Sequence, residues 1–420
     1  MSSDVKTPLD CTSLSYGSCC WKDLGVTRYE KGRVFGAMSD ICVITTAHTV
    51  SSVRIMQREA RTLVRAGFRV TLIAPSDKSA IVNGVKIVAL QKPRTRLGRF
   101  VFLAERSFRL ARRLRADAYH FHDPDFLPWA LFLQRRTGRP VIYDVHEYYG
   151  HVIRTRSWIP NLLGRIASRA FLAAEAWIAR RLAGVVVVND HMAERFRGLG
   201  CRVAVLPNYP LLDTFLKLPP PRANEGTTPT AKKMIYVGGL SESRGITQCV
   251  RVLHRAQEAI PDLELYLVGK MEHKTYAGVI DRLVSELGLE GSIMMVGHVP
   301  HSTVIELLVE ADVGLFLLQP DSERYSWGEP VKYFEYSAVG LPVIISDFPS
   351  KRALVEKNGN GILVDATDEV TIAKQLVDLL QDERACAEMG RKGREAFVRE
   401  YNWEAIEHRL LHLYEEVLKG

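Results

Sequence analysis

The chain has 420 residues, enough for two domains, and its 47% hydrophobic and 25% charged residues are those of an ordinary globular protein. No apolar run reaches about eighteen residues, so no membrane-spanning helix is predicted. A net charge of +8, from 56 basic and 48 acidic residues, either serves solubility or favours anionic partners such as nucleotides, phospholipid headgroups or nucleic acid.

Residues 1–38 are polar and aperiodic and predict a poorly ordered extension, with Met38 as an alternative start. Strand Ile41–Thr46 opens a regular alternation. An amphipathic helix follows, with Met56, Ala60, Leu63 and Val64 on one face, and Gly67 ends it. Further strands are predicted at Val70–Ala74, Val85–Leu90, Ala118–Phe121, Val141–Tyr143, Val185–Val188 and Val203–Leu206. Residues 210–232 break the rhythm with Pro, Gly and Thr and read as a linker between domains at 39–209 and 233–400. The second alternation has strands at Met234–Val237, Leu263–Val268, Ile293–Val296, Val313–Leu318, Pro342–Ile345 and Ile362–Val364. Helices Asp368–Leu380 and Ala385–Arg399 follow, and the segment 401–420 holds a last helix, Trp403–Leu418. The fold class is therefore α/β: two Rossmann-like, doubly wound parallel sheets facing a cleft, which is the expected ligand site.

Seven cysteines, at 11, 19, 20, 42, 201, 249 and 386, have no metal-site spacing, and the N-terminus shows no basic segment followed by an apolar core. Both features point to a reduced, cytoplasmic protein.

Two segments carry chemistry. In Tyr236-Val-Gly-Gly-Leu-Ser-Glu-Ser-Arg-Gly-Ile246 a strand gives way to glycines and then a helix. Gly238 and Gly239 let backbone approach a phosphate, the helix N-terminus adds positive potential, and Arg244 adds a planar cation. The plain alternative is a strand-to-helix turn. In Glu329-Pro-Val-Lys-Tyr-Phe-Glu-Tyr-Ser-Ala-Val-Gly340, Pro330 suits a first helical position and Gly340 a helix end. Lys332 in the first turn opposes the helix dipole, which makes sense beside an anion. Glu335, three residues on, shares its face, so a surface ion pair is the plain alternative.

These pieces, in order and spacing, resemble the donor half of glycosyltransferase family 4, the retaining GT-B enzymes. The matching segments are Val237-Gly-Gly-Leu-Ser-Glu-Ser-Arg-Gly, Leu267-Val-Gly, Val296-Gly-His-Val-Pro, Ala311-Asp-Val-Gly-Leu and Phe334-Glu-Tyr-Ser-Ala-Val-Gly-Leu-Pro-Val-Ile. In the first half, His120-Phe-His-Asp-Pro-Asp-Phe-Leu-Pro, Tyr143-Asp-Val-His-Glu and Leu206-Pro-Asn-Tyr-Pro resemble acceptor-side motifs, so the resemblance spans about residues 41–415. It implies that Glu335 binds the donor ribose and Arg244 the diphosphate. It also implies that backbone near Gly297, His298 and Val299 borders the base, and that His122 lies by the transferred sugar. The last helix would cross back to the first domain.

Two positions depart from the family pattern. Trp327 stands where the family has a sugar-binding glutamate, which makes Glu329 the stand-in, and Gly239 stands where an arginine is common, a charge Lys332 would replace. The implied reaction moves a sugar, with retention, from a UDP- or GDP-sugar to a glycan or lipid-linked acceptor in polysaccharide or glycolipid synthesis. Arg244, Lys332 and two helix N-termini would stabilise the departing diphosphate without a metal or other cofactor, and the leaving phosphate would act as base. A nucleotide-sugar 2-epimerase of the same architecture and a non-catalytic sugar-nucleotide binder are the alternatives.

Strand ends add acceptor-side candidates: His48, His146 and Glu147, with His120 and His122 on one strand face. Asp123-Pro-Asp125 has the form of a metal motif from another glycosyltransferase fold and is discounted in this context. Residues 94–117 hold eight arginines against Glu105 and Asp117. With Phe100, Leu103, Leu110, Ala111 and Leu114 they suggest a basic amphipathic helix on an anionic membrane, a peripheral attachment, with a solvated helix as the plain alternative. No nucleic-acid partner is expected.

Overall fold

The computed structural model describes residues 39–91, 102–154, 160–218, 231–320, 327–328 and 330–419. The extension 1–38, residues 94–101 of the basic segment, most of the 210–232 segment and Glu329 lie outside these residues.

The first sheet has eight strands: β1 (Asp40–Ile44), β2 (Arg69–Pro75), β3 (Ala80–Val82), β4 (Val85–Leu90), β5 (Ala118–Phe121), β6 (Val141–Val145), β7 (Gly184–Val187) and β8 (Val203–Val205). Their order is β3-β4-β2-β1-β5-β6-β7-β8, parallel except for the β3–β4 pair. The second sheet holds β9 (Lys233–Val237), β10 (Glu264–Val268), β11 (Ile293–Gly297), β12 (Val313–Phe316), β13 (Val343–Ser346) and β14 (Gly361–Val364). Its order is β11-β10-β9-β12-β13-β14, all parallel. Runs such as Val-Val-Val at 185–187 are buried on both faces, as parallel strands covered by helices require.

The strand order reverses between β1 and β5 in the first sheet and between β9 and β12 in the second. Crevices at the carboxyl ends of strands open at such switch points. Thr45–His48 and His122–Asp123 follow β1 and β5, and Gly238–Gly239 and Leu317–Gln319 follow β9 and β12. The fold therefore brings these groups to its two natural ligand crevices.

Helices Ala104–Leu114, Leu127–Thr137 and Asn161–Ala179 pack side by side on one face of the first sheet. The other face is covered by the segment Val53–Arg65 and by the last helix, Trp403–Lys419. Trp403 is 1% exposed, and its indole N–H donates to Thr62 Oγ1 at 2.9 Å. Covering a side chain of this size contributes on the order of 4 kcal/mol before entropy costs, so the end of the chain is held to the first domain. Within the segment expected as a linker, Leu212–Phe215 forms a helical turn whose Leu212 and Phe215 enter the core of the second domain.

Three local differences from the sequence reading have physical causes. The run Val313–Leu318 is apolar and buried throughout, yet β12 ends at Phe316. Beyond it the chain bends under the glycine turn, where Gln319 N–H donates to the Ser243 carbonyl at 2.9 Å. Pro330 is the residue before helix Val331–Val339 rather than its first helical residue. The edge strand β3 joins β4 through Asn83-Gly84, whose φ values of 51° and 80° form the left-handed pair of a tight hairpin.

Candidate active site

The donor side forms at the carboxyl ends of β9, β11 and β12. After β9, Gly238 (φ 150°) and Gly239 lead to a turn at Glu242–Arg244, and Gly245 (φ 75°) opens helix Ile246–Ala256. A Cβ at Gly245 would collide with the Leu317 carbonyl, and one at Gly239 with the Glu272 carboxylate. At Gly245 the neighbour is backbone and fixed, whereas at Gly239 it is the end of the exposed Glu272 side chain. Arg244 Nε lies 3.2 Å from Glu272 Oε1. Sequence reasoning missed Glu272, the Arg244 partner beside the expected donor turn.

Helix Val331–Val339 brings Lys332 and Glu335 together, with Nζ 3.0 Å from Oε2. The second Glu335 oxygen, Oε1, lies 3.1 Å from Nε2 of His301, the first residue of helix His301–Glu310. Glu335 is 8% exposed. Burial alone would raise its pKa, but the His301 hydrogen bond and the Lys332 charge outweigh it and hold the carboxyl at about 2. Glu335 is therefore a fixed, ionised acceptor. His298 is exposed and Val299 half-buried in the turn between β11 and that helix. Glu329 lies outside the described residues. Its neighbour Trp327 stacks on His191 of the first domain, ring centroids 4.8 Å apart and planes 7° apart. The Trp327 carbonyl accepts from Asn189 Nδ2 at 3.3 Å.

The acceptor side forms at β1, β5 and β6. Asp123 Oδ2 accepts from Thr45 Oγ1, Thr46 N–H and Ala47 N–H at 2.6, 2.7 and 3.1 Å. Asp125 accepts from Thr46 Oγ1 at 2.9 and 2.8 Å. Both carboxylates of the Asp-Pro-Asp segment thus shape the loop after β1. His48, with 39% of its side chain exposed, places Nε2 3.0 Å from Nε2 of His146 and 3.6 Å from Asp123. Burial lowers its pKa, against the pull of Asp123. Glu147 is exposed.

His120 and His122 share a strand face and stack at 4.9 Å, but both are fully buried. His120 pairs with the Tyr414 hydroxyl at 3.0 Å, and burial followed by the effect of His122 brings its pKa to about 3. His122 lies beneath the crevice surface, with Nδ1 3.3 Å from Asp144 Oδ2 and Nε2 3.4 Å from Glu59 Oε2. Arg54 grips Asp144 through Nε and Nη2, at 3.0 and 3.1 Å. Sequence reasoning missed Arg54, Glu59 and Asp144. The segment Val53–Ala60 is a π-helix, whose i→i+5 bonding brings Arg54 and Glu59 together; an α-helical period of 3.6 does not. Glu59, His120, His122 and Asp144 bring four donor atoms within 4.8 Å of one another, close enough to share a cation. The cation present among them is the Arg54 guanidinium, 3.0 Å from both carboxylates. Arg58 is 8% exposed and faces the second domain. Burial and the nearby Arg54 lower its pKa to about 10, while Glu335 across the cleft pulls the other way.

Comparison with known proteins shows the family and the fold. Residues 221–396 match the model of the glycosyl transferases group 1 family, and residues 52–209 match the glycosyl transferase 4-like domain. The chain belongs to the group 1 glycosyltransferases of GT-B fold, and it is a glycosyltransferase. It is 25% identical over 312 residues to a phosphatidyl-myo-inositol mannosyltransferase of Mycobacterium leprae, covering 72% of this chain and 74% of the relative. It is 22% identical over 316 residues to a GDP-mannose:cellobiosyl-diphosphopolyprenol alpha-mannosyltransferase of Xanthomonas oryzae, covering 72% and 75%. Among solved structures, sucrose-phosphate synthase from Thermosynechococcus elongatus superposes with TM-score 0.68 at 19% identity, covering 91% of this chain and 99% of that one. Anabaena HepE in complex with UDP and glucose superposes with TM-score 0.64 at 14% identity, covering 90% and 99%.

Proposed function

We propose that the protein transfers a hexosyl group, with retention, from a UDP- or GDP-sugar to a glycan or lipid-linked acceptor in polysaccharide or glycolipid synthesis. The observation that carries this reading is the ionised Glu335, fixed by His301 and Lys332 beside the Arg244 glycine turn. A buried carboxylate held by a partner on each oxygen is suited to accept a pair of ribose hydroxyls. The departing diphosphate gains negative charge that Arg244, Lys332 and the N-termini of helices Ile246–Ala256 and Val331–Val339 would offset, so this scheme calls on no metal. The leaving phosphate would take the acceptor proton, near His48 and His146. Screening UDP- and GDP-sugars for thermal stabilisation, then assaying transfer with the binders, tests the reading. Stabilisation by no nucleotide-sugar would sink it.

A peripheral membrane location belongs to the same reading. Residues 94–181 hold 17 arginines, no lysine and seven acidic residues, a net +10 that exceeds the +8 of the whole chain. In this span the side-by-side helices expose Phe132, Leu162, Leu163, Ile166 and Trp177, and Phe102 is exposed just before the first of them. Apolar side chains amid arginines fit an anionic lipid surface. No helix among the described residues is long and apolar enough to cross a membrane.

A further inference from the structure

The crevice floor of the first domain contains a buried carboxyl to which its surroundings offer no hydrogen bond. Glu59 is 1% exposed, and His120, His122 and Asp144 are fully buried. Two carboxylates face one close guanidinium. Arg54 Nε carries a single hydrogen and lies 3.0 Å from both Asp144 Oδ2 and Glu59 Oε1. Its hydrogen bond goes to Asp144, and Nη2 bonds the other Asp144 oxygen. Nη1 is committed to the Leu206 carbonyl and Asn208 at 2.9 and 3.0 Å. Both Glu59 oxygens, and both ring nitrogens of His122, are left without an aligned hydrogen bond. An ionised Glu59 would be a buried carboxylate with no donor of its own, a costly arrangement.

We propose that Glu59 stands in the folded protein as a neutral carboxylic acid whose hydroxyl faces Nε2 of His122 and holds the imidazole proton on Nδ1, toward Asp144. One added proton then satisfies the whole cluster. Glu59 and His122 are neutral, and the Asp144 carboxylate is paired with Arg54. The His122 Nε2 that faces Glu59 accepts, and the Nδ1 that faces Asp144 donates. The Asp144 charge remains free to orient His146, whose Nδ1 lies 3.7 Å from Oδ1. His146 in turn meets the cleft-facing His48. Glu59 is thus a positioning residue, acting on the acceptor-side histidines through His122 and Asp144.

The neighbouring groups agree with this assignment. On its own helix Glu59 sees Arg54 and Arg58; from β5 and the residue after it, His120 and His122; from β6, Asp144; from the last helix, Tyr414. Burial first, and Asp144 second, push the Glu59 carboxyl well above its ordinary range, while at Asp144 burial is outweighed by Arg54 and the nearby His122, which hold it well below. Burial lowers His122.

Three measurements decide the matter. With ¹⁵N-labelled histidine at pH 7, the His122 resonances, assigned through His122→Asn, should show the Nδ1–H tautomer; a proton on Nε2, or on both nitrogens, overturns the proposal. The infrared difference between wild type and Glu59→Gln at pH 7 should contain the C=O band of an un-ionised acid, and a carboxylate band in its place overturns it. Exposed Glu59 ionises on unfolding, so the wild-type unfolding constant should rise about tenfold per pH unit relative to Glu59→Gln between about pH 5 and 7. Parallel pH dependences overturn it, as does a stoichiometric metal ion in purified wild-type protein. If Glu59→Gln does not fold, the tautomer and metal measurements on wild type still decide. The positioning role rests on the transferase reading and has its own readout: Glu59→Gln, which keeps a neutral donor, should retain transfer that Glu59→Ala loses. Equal loss in both removes that role, whereas failure of the transferase reading leaves the protonation results standing.

Discussion

His301 places Nε2 3.1 Å from Oε1 of Glu335, joining the first residue of one helix to the middle of another. Glu335 accordingly has a cation-capable partner on each oxygen, with Lys332 on the other. A carboxylate so held is already ionised and oriented before ligand arrives. Preorganisation of this kind lowers the entropy cost of binding.

The first prediction concerns this pair. Glu335→Ala should remove most thermal stabilisation by the donor. At ligand concentrations near 100 times Kd the wild-type gain is about 2.7 kcal/mol. His301→Ala removes one charge-assisted hydrogen bond and should weaken donor affinity by about tenfold. Differential scanning fluorimetry against UDP- and GDP-sugars checks both. Wild-type shifts in Glu335→Ala would place the donor elsewhere.

Acid stability follows from the same carboxyl. The folded pKa of Glu335, about 2, lies below its ordinary 4.5. Its contribution is fully present above pH 4.5 and is lost as pH falls toward 2. Glu335→Gln lacks this dependence. Below about pH 4.5 the wild type should lose up to ~1.4 kcal/mol per pH unit relative to the variant. Urea denaturation at pH 3, 4, 5 and 7 measures the difference, and parallel pH profiles would contradict it.

Much of the fold was legible because parallel strands buried on both faces read as short apolar runs. Val185–Val188 and Val313–Leu318 announce themselves in this way, and the glycine turns punctuate them. The donor helix was equally plain, from Pro330 to Gly340. The acceptor-side cluster was not. Arg54 and Glu59 are five apart, a spacing that only the π-helical segment brings together. His301 and Glu335 are 34 residues apart and meet only through tertiary packing. The β3–β4 hairpin was legible and missed, since Asn83-Gly84 is a strong turn signal.

In the proposed donor site Arg244 and Glu272 act in opposite senses. The ion pair at 3.2 Å holds the guanidinium at the glycine turn, but the Glu272 charge would repel an incoming diphosphate. Arg244→Ala should abolish most donor stabilisation, through loss of the phosphate contact. Glu272→Gln should leave Arg244 in place and tighten donor binding by about two- to fivefold, roughly 0.4–1 kcal/mol. Isothermal titration with UDP and GDP reads both effects. A weaker complex in Glu272→Gln would mean that the pair's rigidity outweighs its charge.

Trp327 and His191 test closure of the cleft. Their stack, at 4.8 Å and 7°, links residues on opposite domains, and Asn189 adds a hydrogen bond to the Trp327 backbone. Removing either ring loses the same contact. Trp327→Ala and His191→Ala should each lower kcat/KM for transfer, and the double variant should be no worse than the worse single. Aromatic pairs of this kind couple by about 0.5–1.5 kcal/mol. A double-mutant cycle on transfer rates gives the coupling directly. Purely additive effects would show that the stack does not form during turnover, and Trp327 would then act through another contact. Trp327 also lines a cavity with Tyr148 and Leu172, and a loss in Leu172→Ala equal to that of Trp327→Ala would place its action there.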